Sequence, residues 1–129
     1  MTFLRRALWT ATLAYWALLF VLTHKPPAPP KEGGINDKLQ HALAFGAGSF
    51  LLGVTLWASG RAGRSPATVP AWVLILVALY GAADELTQPI VGRVADPGDW
   101  LADLAGAAVA AAVLYALRRL TRPREAGQT

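Results

Sequence analysis

The chain has 129 residues, is 54% hydrophobic and only 16% charged, and carries a net charge of +4. That length fits one domain, and the apolar residues fall in long blocks that an ordinary soluble domain does not need. Cys is absent, which excludes a disulfide framework, a thiolate nucleophile and a cysteine metal site.

The first block, Ala7 to Thr23, is uncharged and follows Arg5 and Arg6. Basic residues before an apolar run fit a signal peptide. No small-x-small cleavage signal precedes THKPPAPP, so a retained signal anchor is expected, as a helix over about 5–23. The segment HKPPAPPKEGGIN, residues 24–36, reads as an extended polar linker, held near polyproline geometry by its prolines and loosened at Gly33-Gly34. The second block, Leu39 to Gly60, predicts a helix over about 37–59, and SGRAGRSPAT a short basic turn. The third block, Ser65 to Ala83, opens on a loop-like Ser-Pro and predicts a helix over about 69–88. PIVGRVADPGD is the third loop, and the fourth block, Leu104 to Leu117, predicts a helix over about 97–119 with a polar tail at 120–129. A span needs about 20 residues. The fold class expected is an all-α membrane protein, one domain built as a bundle of four transmembrane helices.

Arg5, Arg6, Arg61, Arg64, Arg118, Arg119, Arg122 and Arg124 fall on one side of such a bundle. Lys25, Lys31, Lys38 and Arg93 fall on the other. The positive-inside rule then puts both termini in the cytoplasm. Of the acids only Glu125 lies on that side. Glu32, Asp37, Asp84, Glu85, Asp96, Asp99 and Asp103 lie at or toward the outside. Acids contribute little to orientation, so their clustering needs another cause.

Helix length supplies part of it. The strictly apolar stretch Ala71 to Ala83 covers about 20 Å at 1.5 Å per residue, against a hydrocarbon core of about 30 Å. The third helix must therefore run on toward Gln88, which places Asp84 and Glu85 inside the outer part of the bilayer. The fourth must likewise include Asp99 and Asp103. The pairs Asp37/His41, Asp84/Gln88 and Asp99/Asp103 are each four apart, so each shares one helix face. Ionisable groups inside a membrane normally face the bundle interior and mark a functional site.

Structural readings compete. Asp96-Pro97 fits an N-cap followed by proline at the first helical position, with Asp99 where a capping-box acid stands. Asp37 and Lys38 fit a helix start beside headgroups, and His41 an interfacial residue satisfied by a carbonyl. Glu85 and Asp103 fit structural salt bridges, with Lys38 and Arg93 as the available cations. The five Trp lie mostly near span ends and read as an aromatic belt. GAAVAAA at 106–112 suits close helix contact.

DKLQH at 37–41, DELTQ at 84–88, GR at 92–93 and DWLADLAG at 99–106 together resemble the VanZ-like membrane proteins. Asp37, Lys38, His41, Glu85, Gln88, Arg93, Asp99, Asp103 and Gly106 fill that pattern; Asp103 departs from it, since many members carry Asn there. The resemblance implies a multi-pass bacterial membrane protein of the cell envelope, in a family named for resistance to the glycopeptide teicoplanin.

The first functional expectation is an outward-facing polar pocket, with Asp84 among its residues, that binds or modulates an anionic lipid or cell-wall-precursor headgroup. Lys38, Arg93 and a protonated His41 would supply donors, and Glu85, Asp99 and Asp103 would orient them. The second is an intramembrane hydrolase or transferase on a lipid headgroup, with Glu85 and His41 as acid and base and Asp103 as a further candidate. The third is a small proton-linked transporter. A His with several carboxylates can bind a divalent metal, but no tight metal motif is present, so no metal and no cofactor is expected. Membrane lipids are expected partners, nucleic acid is not, and a homo-oligomer is compatible with the sequence.

Overall fold

The computed structural model describes residues 2–26, 36–60 and 65–121. Most of the proline linker, the turn arginines Arg61 and Arg64, and the tail from residue 122 lie outside the described residues. Lys31, Glu32, Arg122, Arg124 and Glu125 lie outside them too.

The described chain forms α1 (Phe3–Thr23), α2 (Asp37–Ala58), α3 (Thr68–Thr87) and α4 (Pro97–Thr121), with a 3₁₀ turn at Gln88–Val91 after α3. α1 begins two residues before its expected start and α4 ends two residues past its expected end. All four helices are long and apolar enough to cross a membrane.

Local chemistry sets the ends. The Asn36 side chain accepts the Lys38 N–H at 2.9 Å and caps α2. Pro89 has no N–H, so the α-helical ladder stops and the chain tightens into the 3₁₀ turn. Gly92, at φ 77°, closes that turn in the left-handed region, and Arg93 N–H donates to Gln88 O at 3.2 Å. α4 starts as the sequence suggests. Asp96 Oδ1 accepts the Gly98 N–H at 2.7 Å, and Pro97 takes the first helical position.

Helices consecutive in the chain run antiparallel, so α2 and α4 run parallel, and their contact is the closest. Gly46 and Gly106 meet there, and a Cβ on Gly106 would run into the carbonyl oxygen of Ala42. The apolar core joins Leu19, Phe45, Leu56, Val73, Val77 and Leu114. Large apolar side chains such as Leu13, Leu79 and Val109 point outward, as suits lipid contact.

The belt reading of tryptophan needs correction at Trp16. It sits mid-helix with its ring edge-on to Phe45 at 5.6 Å and Tyr80 at 4.7 Å. The Tyr80 hydroxyl donates to Trp16 O at 3.0 Å, tying α3 to α1. Trp9 and Trp100 each donate an indole N–H inside the protein, to Ser59 Oγ and Ala78 O.

Candidate functional site

Among the described residues the buried polar groups divide sharply by depth. One half of the bundle buries only hydroxyls, at Thr12, Ser49 and Thr55. The other half buries Thr23, His41, Asp84, Glu85, Gln88, Asp99 and Asp103. The antiparallel packing causes this, because the C-terminal ends of α1 and α3 lie beside the N-terminal ends of α2 and α4.

Two connected networks fill that end. In the first, His41 Nδ1 lies 2.9 Å from Asp103 Oδ1, and His41 Nε2 lies 3.8 Å from Asp99 Oδ2. Lys38 Nζ donates to Asp96 Oδ2 at 2.7 Å and to Asp99 Oδ1 at 3.0 Å. Asp37 stands exposed at the rim, one turn before His41. In the second, Gln88 Nε2 is shared between Asp84 Oδ2 at 3.2 Å and Glu85 Oε1 at 3.0 Å. Glu85 Oε2 accepts the backbone N–H of Asp96 at 2.8 Å, which joins the networks. The Lys38 ammonium, and then the Gly98 N–H, hold the Asp96 carboxyl below its ordinary range.

The structure thus brings Asp37, Lys38, His41, Asp99 and Asp103 together across α2 and α4, and Asp84, Glu85 and Gln88 on α3. Arg93 stands apart from both. Its Nη1 donates to Lys25 O at 3.2 Å. The salt-bridge expectation for Glu85 and Asp103 fails on these contacts. Neither touches Lys38 or Arg93 among the described residues. Glu85 takes neutral donors instead, and Asp103 takes the histidine. Asp99 does not close a capping box either, because it turns toward Lys38 and His41.

Sequence reasoning missed α1. Thr23 Oγ1 donates to Asp84 Oδ1 at 2.8 Å, and His24 Nδ1 lies 3.5 Å from the same oxygen. His24 Nε2 and Thr87 Oγ1 are 2.9 Å apart. His24 at the C-terminal end of the first span, level with the acids, was the available signal.

A cavity of about 270 Å³ opens between α1 and α2 beside these groups. Leu19, Leu22 and Phe45 form an apolar wall, and Thr23, Asp37, His41 and Arg93 line it with polar atoms. A larger groove of about 380 Å³ runs between α2 and α4 past Gly46 and Gly106, with almost entirely apolar walls. It lies away from the chemistry.

Among the described residues, two donor sets have the compactness a metal ion requires. Asp37, His41 and Asp99 offer atoms within 4.8 Å of one another, and so do His41, Glu85 and Asp103. Both combine imidazole with carboxylate, a mixture suited to divalent ions.

No curated protein and no solved structure matches this chain. The VanZ/LLP1 family model matches residues 5–119, spanning all four helices and both networks, and the chain belongs to that family of cell-envelope membrane proteins.

Proposed function

We propose that the protein binds the headgroup of an envelope amphiphile in the cavity between α1 and α2, and does so on the outer face of the cytoplasmic membrane. The carrying observation is the cavity's divided lining. Leu19, Leu22 and Phe45 suit a hydrocarbon chain, while Thr23, His41 and Arg93 suit a polar head. Arg93 is the anion contact in this reading. Lys38 and His41 are engaged with carboxylates, whereas the Arg93 guanidinium spends one N–H on Lys25 O. Its other donors match a phosphate oxygen pair. The basic residues of both termini set the orientation. Resistance to a lipoglycopeptide such as teicoplanin would follow from changing what the drug meets at that surface.

The test uses purified protein in nanodiscs doped with phosphatidylglycerol or a polyprenyl phosphate, against phosphatidylcholine alone. Anionic lipid should raise the melting temperature of the wild type, and Arg93→Ala should abolish most of that rise. An equal response of the two proteins would sink the reading.

A hydrolase or transferase is the second reading. The His41–Asp103 contact supports it, because a carboxylate on Nδ1 orients an imidazole for acid–base work at Nε2. Time-resolved thin-layer analysis of the same lipids would reveal a product. A proton relay has less support, since the buried polar groups of the opposite half are hydroxyls.

A further inference from the structure

We propose that His41 and Asp99, with Asp37 at the rim, form a divalent-cation site whose imidazole is positioned by Asp103. A neutral imidazole has one N–H and one lone pair. Asp103 Oδ1, 2.9 Å from Nδ1, accepts the N–H there and leaves the lone pair on Nε2. Metal-binding histidines are held in this way, with a carboxylate on the nitrogen away from the ion.

Nε2 is the independent sign of a ligand. His41 is only 8% exposed, yet Nε2 makes no hydrogen bond among the described residues. It is aimed at Asp99 Oδ2, 3.8 Å away. That is too long for a hydrogen bond. It is close to the separation of two ligands sharing an ion, since bonds of about 2.0–2.2 Å at open angles put ligand atoms roughly 3–4 Å apart. Asp99 is prepared for the same role. Its Oδ1 is occupied by Lys38 at 3.0 Å, which leaves Oδ2 toward the histidine. Asp37 completes the set, with a carboxylate oxygen within 4.8 Å of a ring nitrogen of His41 and a carboxylate oxygen of Asp99.

Charge favours a cation. Asp84, Glu85, Asp96, Asp99 and Asp103 gather at this end, and Lys38 is the described lysine or arginine that forms salt bridges with any of them. One imidazole with two carboxylates suits Mn²⁺ or Zn²⁺ better than Mg²⁺ or Ca²⁺, which prefer all-oxygen sites. His41 and Asp37 both line the cavity, so positions of the ion not taken by protein would face it. A phosphate-bearing headgroup would then bind ion and Arg93 together; that extension rests on the proposed function, while the cation site does not. The spacing hid the site because its ligands come from two helices, with no local motif on either.

The test uses full-length wild type in detergent, stripped with EDTA and titrated with MnCl₂, ZnCl₂ or MgCl₂. Free Mn²⁺ is read by electron paramagnetic resonance and stability by thermal melting. Saturable uptake of one Mn²⁺ or Zn²⁺ per chain, with a raised melting temperature, is expected. Asp37→Asn and Asp99→Asn should weaken uptake strongly. Asp103→Asn should keep the stoichiometry and lose affinity by roughly 10–100-fold. Glu85→Gln, which loosens the start of α4, should still take up one ion per chain saturably. Absence of saturable uptake by stripped wild type overturns the proposal, whatever the variants do. So does loss of uptake in Glu85→Gln with retention in Asp37→Asn, because the ion would then sit at the other donor set. Saturable metal uptake with no response to anionic lipid leaves the cation site standing and removes the headgroup reading alone.

Discussion

Glu85 Oε2 accepts the backbone N–H of Asp96 at 2.8 Å, so a side chain of α3 caps the start of α4. In a capping box the acid three residues into a helix reaches back to the cap residue's N–H. Here that position is Asp99, which is engaged with Lys38, and Glu85 supplies the missing acceptor from another helix. The end of one span and the beginning of the next are thereby locked together.

Glu85→Gln tests that lock. Both Glu85 oxygens face donors, Gln88 Nε2 and Asp96 N–H. A glutamine amide keeps one oxygen and turns an NH₂ toward one of those donors. One bond is lost and a buried donor is left unpaired, at a cost of about 1–3 kcal/mol. Thermal unfolding in detergent at neutral pH should show a lower midpoint. An equal or higher midpoint would mean that the carboxylate is held against stability, as a functional group often is.

Acid should weaken the Lys38–Asp96 contact. The ammonium and the Gly98 N–H lower the Asp96 pKa in the folded chain relative to the unfolded one. The stability this confers is present above the ordinary carboxylate pKa, about 3.9. It disappears as pH falls through the lowered value of the folded state. Both partners are half-exposed, so the effect is small and screened by salt. Melting curves between about pH 5 and pH 3 should fall less steeply for Asp96→Asn than for wild type. The Asn side chain can still accept the Gly98 N–H, so the difference isolates the charge. Parallel curves would assign the acid sensitivity to other carboxylates.

Helix periodicity explains what was legible. Asp37 and His41, or Asp99 and Asp103, share a face by spacing alone, and acids inside a span must turn inward. Partner choice was not legible, because it depends on how helices rotate against one another. Lys38 reaches Asp96 and Asp99 across 58 and 61 residues, and Glu85 finds a backbone N–H that no side-chain pattern records. Thr23 and His24 join Asp84 from the end of α1, where single residues leave no periodic trace. Trp16 misled because a tryptophan within an apolar block reads the same whether it meets lipid or Phe45 and Tyr80.

The small-residue run at 106–112 can be tested at its first residue. Gly106 lies against Gly46 and the Ala42 carbonyl, and Ala107 beside it is fully buried. In a membrane, helices gain little from excluding water and depend on close packing. A methyl group at Gly106 cannot be accommodated by a side-chain rotation, because the obstacle is backbone. Gly106→Ala must therefore push α2 away from α4. Overpacking of this kind costs about 1–3 kcal/mol, with the loss of close contact along the helix pair added. The same shift would separate His41 from Asp103, which join these two helices further up. Gly106→Ala should lower the unfolding midpoint and weaken Mn²⁺ uptake together. Ala105→Gly, at a neighbouring exposed position on α4, should change uptake little. If Gly106→Ala keeps both wild-type stability and uptake, α2 and α4 do not cross as closely as Gly46 and Gly106 indicate.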